Sequence, residues 1–372
     1  MRPDIVVIGG GTVGAAIAYG LARRRQQVLL LDGEDGDFRA ARANFGLVWL
    51  QGKGLGMPAY QALTRRSIAL WRGFADELQS ETGGDLCYEQ KGGLAFCLGE
   101  DAFEKRRLDL MRLHNQRGEG EADWEMIDRA ALERLLPKAR LGADVSGASL
   151  GRHDGHANPL KLLAGLHGGL LRLGGSIRHR ARVERIEMAG SDFRLVLDGA
   201  ALTAPRIVIA AGLGSARLGR QVGLDVPVHP ERGQILVTER LAPFLPLPAS
   251  GLRQTAEGTV MIGATKDEVG LDVSTTTEAA ASLSAKTVRT IPALATARLV
   301  RQWAGLRVMT PDSYPIYAQS ESHPGAFVAL CHSGVTLAAF HAEVLAEAVA
   351  DGTLPESFSP FHQRRFDVPK AA

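Results

Sequence analysis

Apolar positions along the chain fall into short blocks that alternate between strand-like and helix-like spacing. Ile5-Val6-Val7-Ile8 is a continuous apolar run broken by three glycines. Ala15, Ala16, Ile17, Ala18, Leu21 and Ala22 follow as the small, apolar inner face of a helix. Val28-Leu29-Leu30-Leu31 then ends at Asp32, giving a strand–helix–strand unit. Further along, the pattern predicts helices over Pro58–Thr82 and Asn158–Leu173, and strands over Ser176–Glu187, Phe193–Leu197 and Ile207–Ala210. A strand at Phe327–Leu330 precedes a closing helix from Gly334 to Val349. Between these, Leu86–Leu98 reads as a hairpin bending at Gly92-Gly93, and Gln234–Thr238 and Thr259–Gly263 read as strands. Asp101–Gln116 and Asp128–Leu136 read as helical caps, and Val368–Ala372 as a frayed tail.

This order predicts an α/β protein of two interleaved domains rather than two consecutive ones. A Rossmann-like nucleotide domain would use residues 1–85, 145–220 and 323–366. A mostly antiparallel substrate domain carrying helices would use 86–144 and 221–322.

Composition narrows the class. The 372 residues carry 43 basic and 41 acidic side chains, a formal net charge of +2, with 45% hydrophobic and 23% charged residues. That excludes disorder as the main state. It offers no broad cationic field for nucleic acid, and 6% aromatics argues against base stacking. No window approaches the roughly 20 apolar residues of a membrane span, and the brief N-terminal run is not a signal peptide. Cys87, Cys97 and Cys331 form no CxxC pair and no complete disulfide framework, as expected for thiols in a reducing cytosol. An iron–sulfur cluster needs about four thiolates, so this chain cannot hold one alone, and no metal site is expected. The 43 glycines point to tight turns and close backbone approach to a ligand.

The first chemistry-bearing motif is Gly9-Gly10-Gly11-Thr12-Val13-Gly14, a GxGxxG directly after a strand. Gly9 permits the tight turn, Gly11 lets the backbone approach a pyrophosphate, and Gly14 lets helix and sheet pack closely. The helix N-terminus at Thr12 and Val13 offers unpaired amides to phosphate. Asp32, eighteen residues after Gly14, can accept the ribose hydroxyls. The motif alone does not separate FAD from NAD.

Further blocks follow in order: Ala43-Asn44-Phe45-Gly46-Leu47-Val48-Trp49, Gly155-His156-Ala157-Asn158-Pro159, Ile209-Ala210-Ala211-Gly212, Pro230-Glu231-Arg232-Gly233-Gln234, Trp303-Ala304-Gly305-Leu306-Arg307 and Cys331-His332-Ser333-Gly334-Val335-Thr336. Together they cover nearly the whole chain, and the series resembles the D-amino-acid-oxidase (glycine and sarcosine oxidase) superfamily of FAD enzymes. Within it, Asn44–Gly54 and His332–Thr336 are most similar to the catalytic beta subunits of heteromeric D-hydroxyproline dehydrogenase, opine oxidase and hydrogen cyanide synthase.

The resemblance implies that FAD occupies the nucleotide domain. It places Ala43, Asn44, Phe45 and Gly46 beside the cofactor, the backbone of Val183 at adenine, and the Ala211-Gly212 turn at the pyrophosphate or adenine side. Amides around Ser333, Gly334, Val335 and Thr336 would face the pyrimidine end of the flavin. Arg307 matches the arginine that pairs with the substrate carboxylate; an ordinary ion pair, for example with Asp312, is the alternative. His332 is either a flavin neighbour or a satisfied buried histidine, and His153 and His156 are further candidates for proton transfer. The expected reaction is hydride transfer from a small amino acid, imino acid or opine to flavin N5, followed by imine hydrolysis.

At the position of the oxygen-activating lysine of sarcosine oxidases this chain has Met261, with Lys266 in the following loop. That departure implies a dehydrogenase passing electrons to partners, a second nucleotide-binding subunit and a small iron–sulfur subunit. The assembly would be cytoplasmic or peripheral to the inner face of the membrane. A self-sufficient amine oxidase and a flavin-binding scaffold subunit are the alternatives.

Overall fold

The structure is a computed structural model, and it describes residues 2–33, 40–118 and 120–367. The expected frayed tail, 368–372, lies outside them.

The central sheet has six strands, in the order Ile316–Gln319, Ala326–Leu330, Arg206–Ile209, Ile5–Ile8, Val28–Leu31 and Ser176–Arg178. The first strand of the chain is flanked in parallel by Arg206–Ile209 and Val28–Leu31, with Ile5 opposite Arg206 and Val28. All its residues are buried, because helices or a second layer cover both faces. On one face lie the helices Thr12–Arg23, Pro58–Thr82 and Pro159–Arg172 and the C-terminal helix, around a core containing Ile17, Tyr19, Trp71 and Phe74. On the other, a three-stranded meander, Val183–Ala189, Asp192–Leu197 and Ala200–Ala204, packs through Phe193 and Leu195 onto Val6, Ile8 and Ile207.

The remaining segments build antiparallel sheets. One has the order Leu252–Gln254, Thr259–Gly263, His229–Arg240, Leu299–Met309; another has the order Gly93–Leu98, Val145–Gly151, Trp124–Asp128. Leu94 joins them through a bridge to Ala249. Leu236, Val260, Ile262 and Leu252 share a core with Leu94, Leu132 and Leu136. The opposite face of the four-stranded sheet, carrying Glu231, Gly233, Ile235, Met261, Trp303 and Arg307, is left to build the site.

Three local expectations are corrected. Leu86–Leu98 is not a hairpin: only Gly93–Leu98 is a strand, paired with Val145–Gly151. Glu89 instead exchanges backbone hydrogen bonds with His156, and Gly92, at φ +112°, turns the chain between them. Ser176–Glu187 is two strands in two sheets, separated at Arg180, whose φ is +53°. The closing helix begins at Ala338 rather than Gly334 and runs, through one wider turn at His341–Leu345, to Asp351. The Thr336 carbonyl accepts from Ser67 Oγ at 2.8 Å and Trp71 Nε1 at 2.9 Å, so tertiary donors hold the entry turn.

Candidate active site

A cleft of about 380 Å³ runs along the carboxyl ends of the central strands. It opens over the turn between the first strand and the helix Thr12–Arg23. That turn is forced by sterics: Gly9 has φ +119°, and a Cβ there would lie 2.2 Å from Ala210 O. A Cβ on Gly14 would lie 2.0 Å from Gly9 O. Gly11 differs, since an added Cβ would meet only Ala41 Cβ at 3.7 Å. The space over Gly11 belongs to the cleft.

Gly9, Gly11, Thr12, Val13, Asp32, Asn44, Val183, Ala211, Gly212, His332 and Gly334 all line this one cleft. They come from segments more than 300 residues apart, brought together by the strand order. Asp32 is buried; its amide donates to Arg178 O and its carbonyl accepts from Ala181 N, each at 2.9 Å. The Val183 carbonyl accepts from Arg217 Nη2 at 2.9 Å. The Asn44 side chain closes its own turn, accepting from Gly46 N at 2.8 Å.

Other candidate residues support the cleft without lining it. Gly14 is a packing residue. The Ala43 carbonyl accepts from Trp303 Nε1 at 3.3 Å, tying this segment to the antiparallel sheet. Phe45 stacks beneath the Arg253 guanidinium, 5.9 Å from its ring centre. Thr336 Oγ1 accepts from Trp49 N and donates to Leu47 O, each at 3.2 Å. Val335 is buried in the helical core.

At the far end, Ser333 Oγ collects three side chains: Lys53 Nζ at 2.9 Å, Tyr60 OH at 3.1 Å and His332 Nε2 at 3.2 Å. Burial, then Lys53, Arg307 and Lys266, push His332 down to about 3, so its imidazole is neutral at physiological pH. His156 is also neutral, pushed down to about 4 by burial and by Arg253. His153 is exposed, 3.7 Å from Asp123.

Arg307 does not pair with Asp312, which Arg365 holds at 2.7 Å. Its Nη1 donates to Glu231 Oε1 at 2.8 Å and to Thr265 O at 2.9 Å. No hydrogen bond occupies Nη2 or Nε among the described residues. Gly233 makes room for this guanidinium, since a Cβ there would lie 2.8 Å from Nη2. Met261 is buried, with Sδ 2.7 Å from Arg253 Nη2, while Lys266 is exposed.

Two residues escaped the sequence reading. Gly10 has no side chain because the Asp32 carboxylate fills the place, 2.8 Å from where a Cβ would be. Lys53, between two glycines of φ +81°, reaches the site from a tight turn. Its glycine-flanked position was the available signal.

FAD fits this cleft on its own residues. Thr12 lines it, and Thr12 Oγ1 is buried without a partner, beside a helix start whose amides are free of helical acceptors. The glycine turn leaves the room that a pyrophosphate needs.

Comparison with known proteins agrees. Residues 4–348 match the family model described as DAO, FAD dependent oxidoreductase. The chain is 41% identical over 369 residues to a subunit of opine oxidase from Agrobacterium tumefaciens (strain Ach5), covering 99% of both chains. It is 29% identical to hydrogen cyanide synthase subunit HcnC of Pseudomonas protegens, covering 98% of this chain and 96% of that one. The crystal structure of glycine oxidase from Geobacillus kaustophilus superposes with a TM-score of 0.89 at 25% identity, covering 98% of this chain and 99% of that one. The chain belongs to the DAO family of FAD-dependent oxidoreductases.

Proposed function

We propose that this chain is the catalytic subunit of a dehydrogenase that oxidises the C–N bond of a small amino acid, imino acid or opine and passes the electrons to partner subunits. The observation that carries this reading is the end-to-end match, at 41% identity, to a protein named as one subunit of opine oxidase. Met261 at the position of an oxygen-activating lysine supports it, as do three free cysteines, too few for a cluster in the chain itself. The partners would be a second nucleotide-binding subunit and a small iron–sulfur subunit. The assembly would be cytoplasmic and meet the membrane only through them; no helix among the described residues is long and apolar enough to cross one.

Bound FAD supplies the acceptor for two electrons. The chain's own residues hold and orient. Amides at Gly11, Thr12 and Val13 would hold the pyrophosphate, Asp32 the ribose, and Val183 with Ala211 and Gly212 the adenosine side. Gly334 would present its backbone amide to the flavin ring, with Asn44 along its edge, while Ser333, Val335 and Thr336 and Ala43, Phe45 and Gly46 hold these two segments from behind. Arg307 would use Nη2 and Nε on the substrate carboxylate, its Nη1 being fixed by Glu231. Neutral His332 can accept or donate a hydrogen bond beside the reacting amine, and the burial and cations around it hold it in that neutral form.

A second reading, a self-sufficient amine oxidase, is favoured by the glycine oxidase match. Stopped-flow reoxidation of substrate-reduced protein in air decides between them. Slow reoxidation in air with fast turnover on a dye or with partner subunits is expected. Reoxidation faster than turnover in the partner-containing complex overturns the dehydrogenase reading.

A further inference from the structure

We propose that Lys53 is a specificity-determining residue that binds a second carboxylate of the substrate. The site then takes a secondary amine carrying a carboxylate on each of its two carbon substituents. The proposal rests on the reading of this cleft as an amine-oxidising site.

The charge balance around Lys53 carries the argument. Its ammonium donates to Ser333 Oγ at 2.9 Å, and among the described residues no carboxylate lies within ion-pair distance of it. The charged groups that act on it most are Lys266 and Arg307, both of its own sign, and Asp154. Asp154 acts on Lys53 from beyond ion-pair distance, so it offsets part of the positive charge without pairing with the ammonium. Burial pushes it up to about 6, and its Oδ1 already accepts from Leu50 N and Gln51 N. Cys331 is pushed up to about 12 by burial and is a neutral thiol. Burial and the two like charges hold Lys53 itself down at about 8, which still leaves an ammonium at neutral pH.

Lys53, Arg307 and the exposed Lys266 all act on one neutral imidazole, His332, which lines the cleft. Glu231 answers only Arg307. A monocarboxylate on Arg307 leaves Lys53 without a carboxylate in ion-pair contact, an unfavourable state for a partly buried ammonium. A second carboxylate completes the balance.

The geometry suits a fixed receptor. The turn that bears Lys53 is closed by Lys53 N donating to Leu50 O at 3.0 Å. It is pinned to the antiparallel sheet by Gln51 Nε2 donating to Gly93 O at 2.9 Å. Lys53 thus reaches Ser333, between the cleft-lining His332 and Gly334, while Arg307 projects from the four-stranded sheet. Two carboxylates held at separate points would fix the amine between them.

The test compares two thioethers that cannot be oxidised as amines: thiodiacetate, with two carboxylates, and methylthioacetate, with one. Dissociation constants are measured by calorimetry on the FAD-loaded chain. The wild type should prefer thiodiacetate by roughly tenfold to a hundredfold, the size of one charge-assisted pair. Lys53→Met should erase that preference and Lys53→Arg should keep most of it. Flavin absorbance and melting temperature report whether each variant is folded, and Lys53→Gln replaces the methionine variant if that one loses flavin. The ratio of kcat/KM for iminodiacetate over sarcosine should fall in parallel.

Normal methylthioacetate binding with no thiodiacetate preference in the wild type overturns the proposal alone. Equal loss of both ligands in Lys53→Met also overturns it, because Lys53 would then serve the flavin or the shared carboxylate. Failure of the wild type to bind either thioether, with no amine bleaching the flavin, overturns the reading of the cleft itself and this proposal with it.

Discussion

At the glycine-turn end of the cleft the atoms assigned to the cofactor belong to one continuous stretch of backbone, Gly9 to Gly14, packed against Ala210. At the other end are side chains from segments far apart in sequence: Lys53, Arg307 with Glu231, and His332 with Ser333. The first end is defined by missing side chains and a helix start, so its chemistry is fixed by the local fold. The second is defined by charge and depends on tertiary structure to bring cations together. Damage to the first end should therefore abolish flavin binding or folding. Damage to the second should change which substrates are used and leave the flavin in place.

The sharpest contrast lies within the glycine motif. Gly14→Val would place a side chain on Gly9 O, where a Cβ already lies at 2.0 Å, and should prevent folding outright. Gly11→Val meets open cleft, so the protein should fold and purify colourless. Circular dichroism with flavin absorbance on both variants checks this; a yellow Gly11→Val protein would break the assignment of the pyrophosphate cradle.

Arg307→Ala comes next. Loss of a charge-assisted carboxylate pair in a desolvated site costs about 2–5 kcal/mol in kcat/KM, with flavin content unchanged. Glu231 would be left without its arginine, so Arg307→Ala with Glu231→Gln separates lost binding from an unpaired acid. Unchanged kcat/KM in either variant removes Arg307 from the carboxylate role.

Acid should then weaken the whole fold. His332 and His341 are held at about 3 and His156 at about 4, all chiefly by burial. Between about pH 6.5 and pH 4 the unfolded chain binds protons that the native chain refuses, so stability falls as pH falls. Each histidine contributes up to about 1.4 kcal/mol per pH unit. Asp154, raised to about 6, has the opposite sign: below pH 6 the native chain takes up its proton before the unfolded chain does. It offsets about one of the three. Urea midpoints at pH 7, 6 and 5 test the sum, and a midpoint that rises on acidification contradicts it.

The smallest effect is expected at the turn between the two ends. Ser67→Ala removes one of the two donors to the Thr336 carbonyl while Trp71 keeps the other. A loss of about 1 kcal/mol in denaturant unfolding is expected. A loss several times larger would mean that Ser67 alone holds the entry to the closing helix.

The same contrast explains what could be read in the sequence. Residues 5–32 carry strand, glycine turn, helix and acid in register, and every one of those features is local. Arg307 was legible only through resemblance, and its partner was not: Glu231 lies opposite it across two strands, a register no local pattern encodes. The start of the closing helix was misplaced because Ser67 and Trp71, more than 260 residues earlier, claim the Thr336 carbonyl. The false hairpin at Leu86–Leu98 has the same cause, since the two halves pair with His156 and with Val145–Gly151 rather than with each other. Lys53 is a polar residue in a turn by pattern; only the fold brings it to Ser333.

The central claim is that this one chain holds FAD and takes electrons from an amine bearing a carboxylate. It is tested most directly by anaerobic titration of the purified yellow protein with D-hydroxyproline, proline, glycine, sarcosine, iminodiacetate and an opine, followed by flavin absorbance. At least one should bleach the visible flavin band in the wild type and fail to do so at the same concentration in Arg307→Ala. A band untouched by every amine, in protein fully loaded with FAD, would contradict the account.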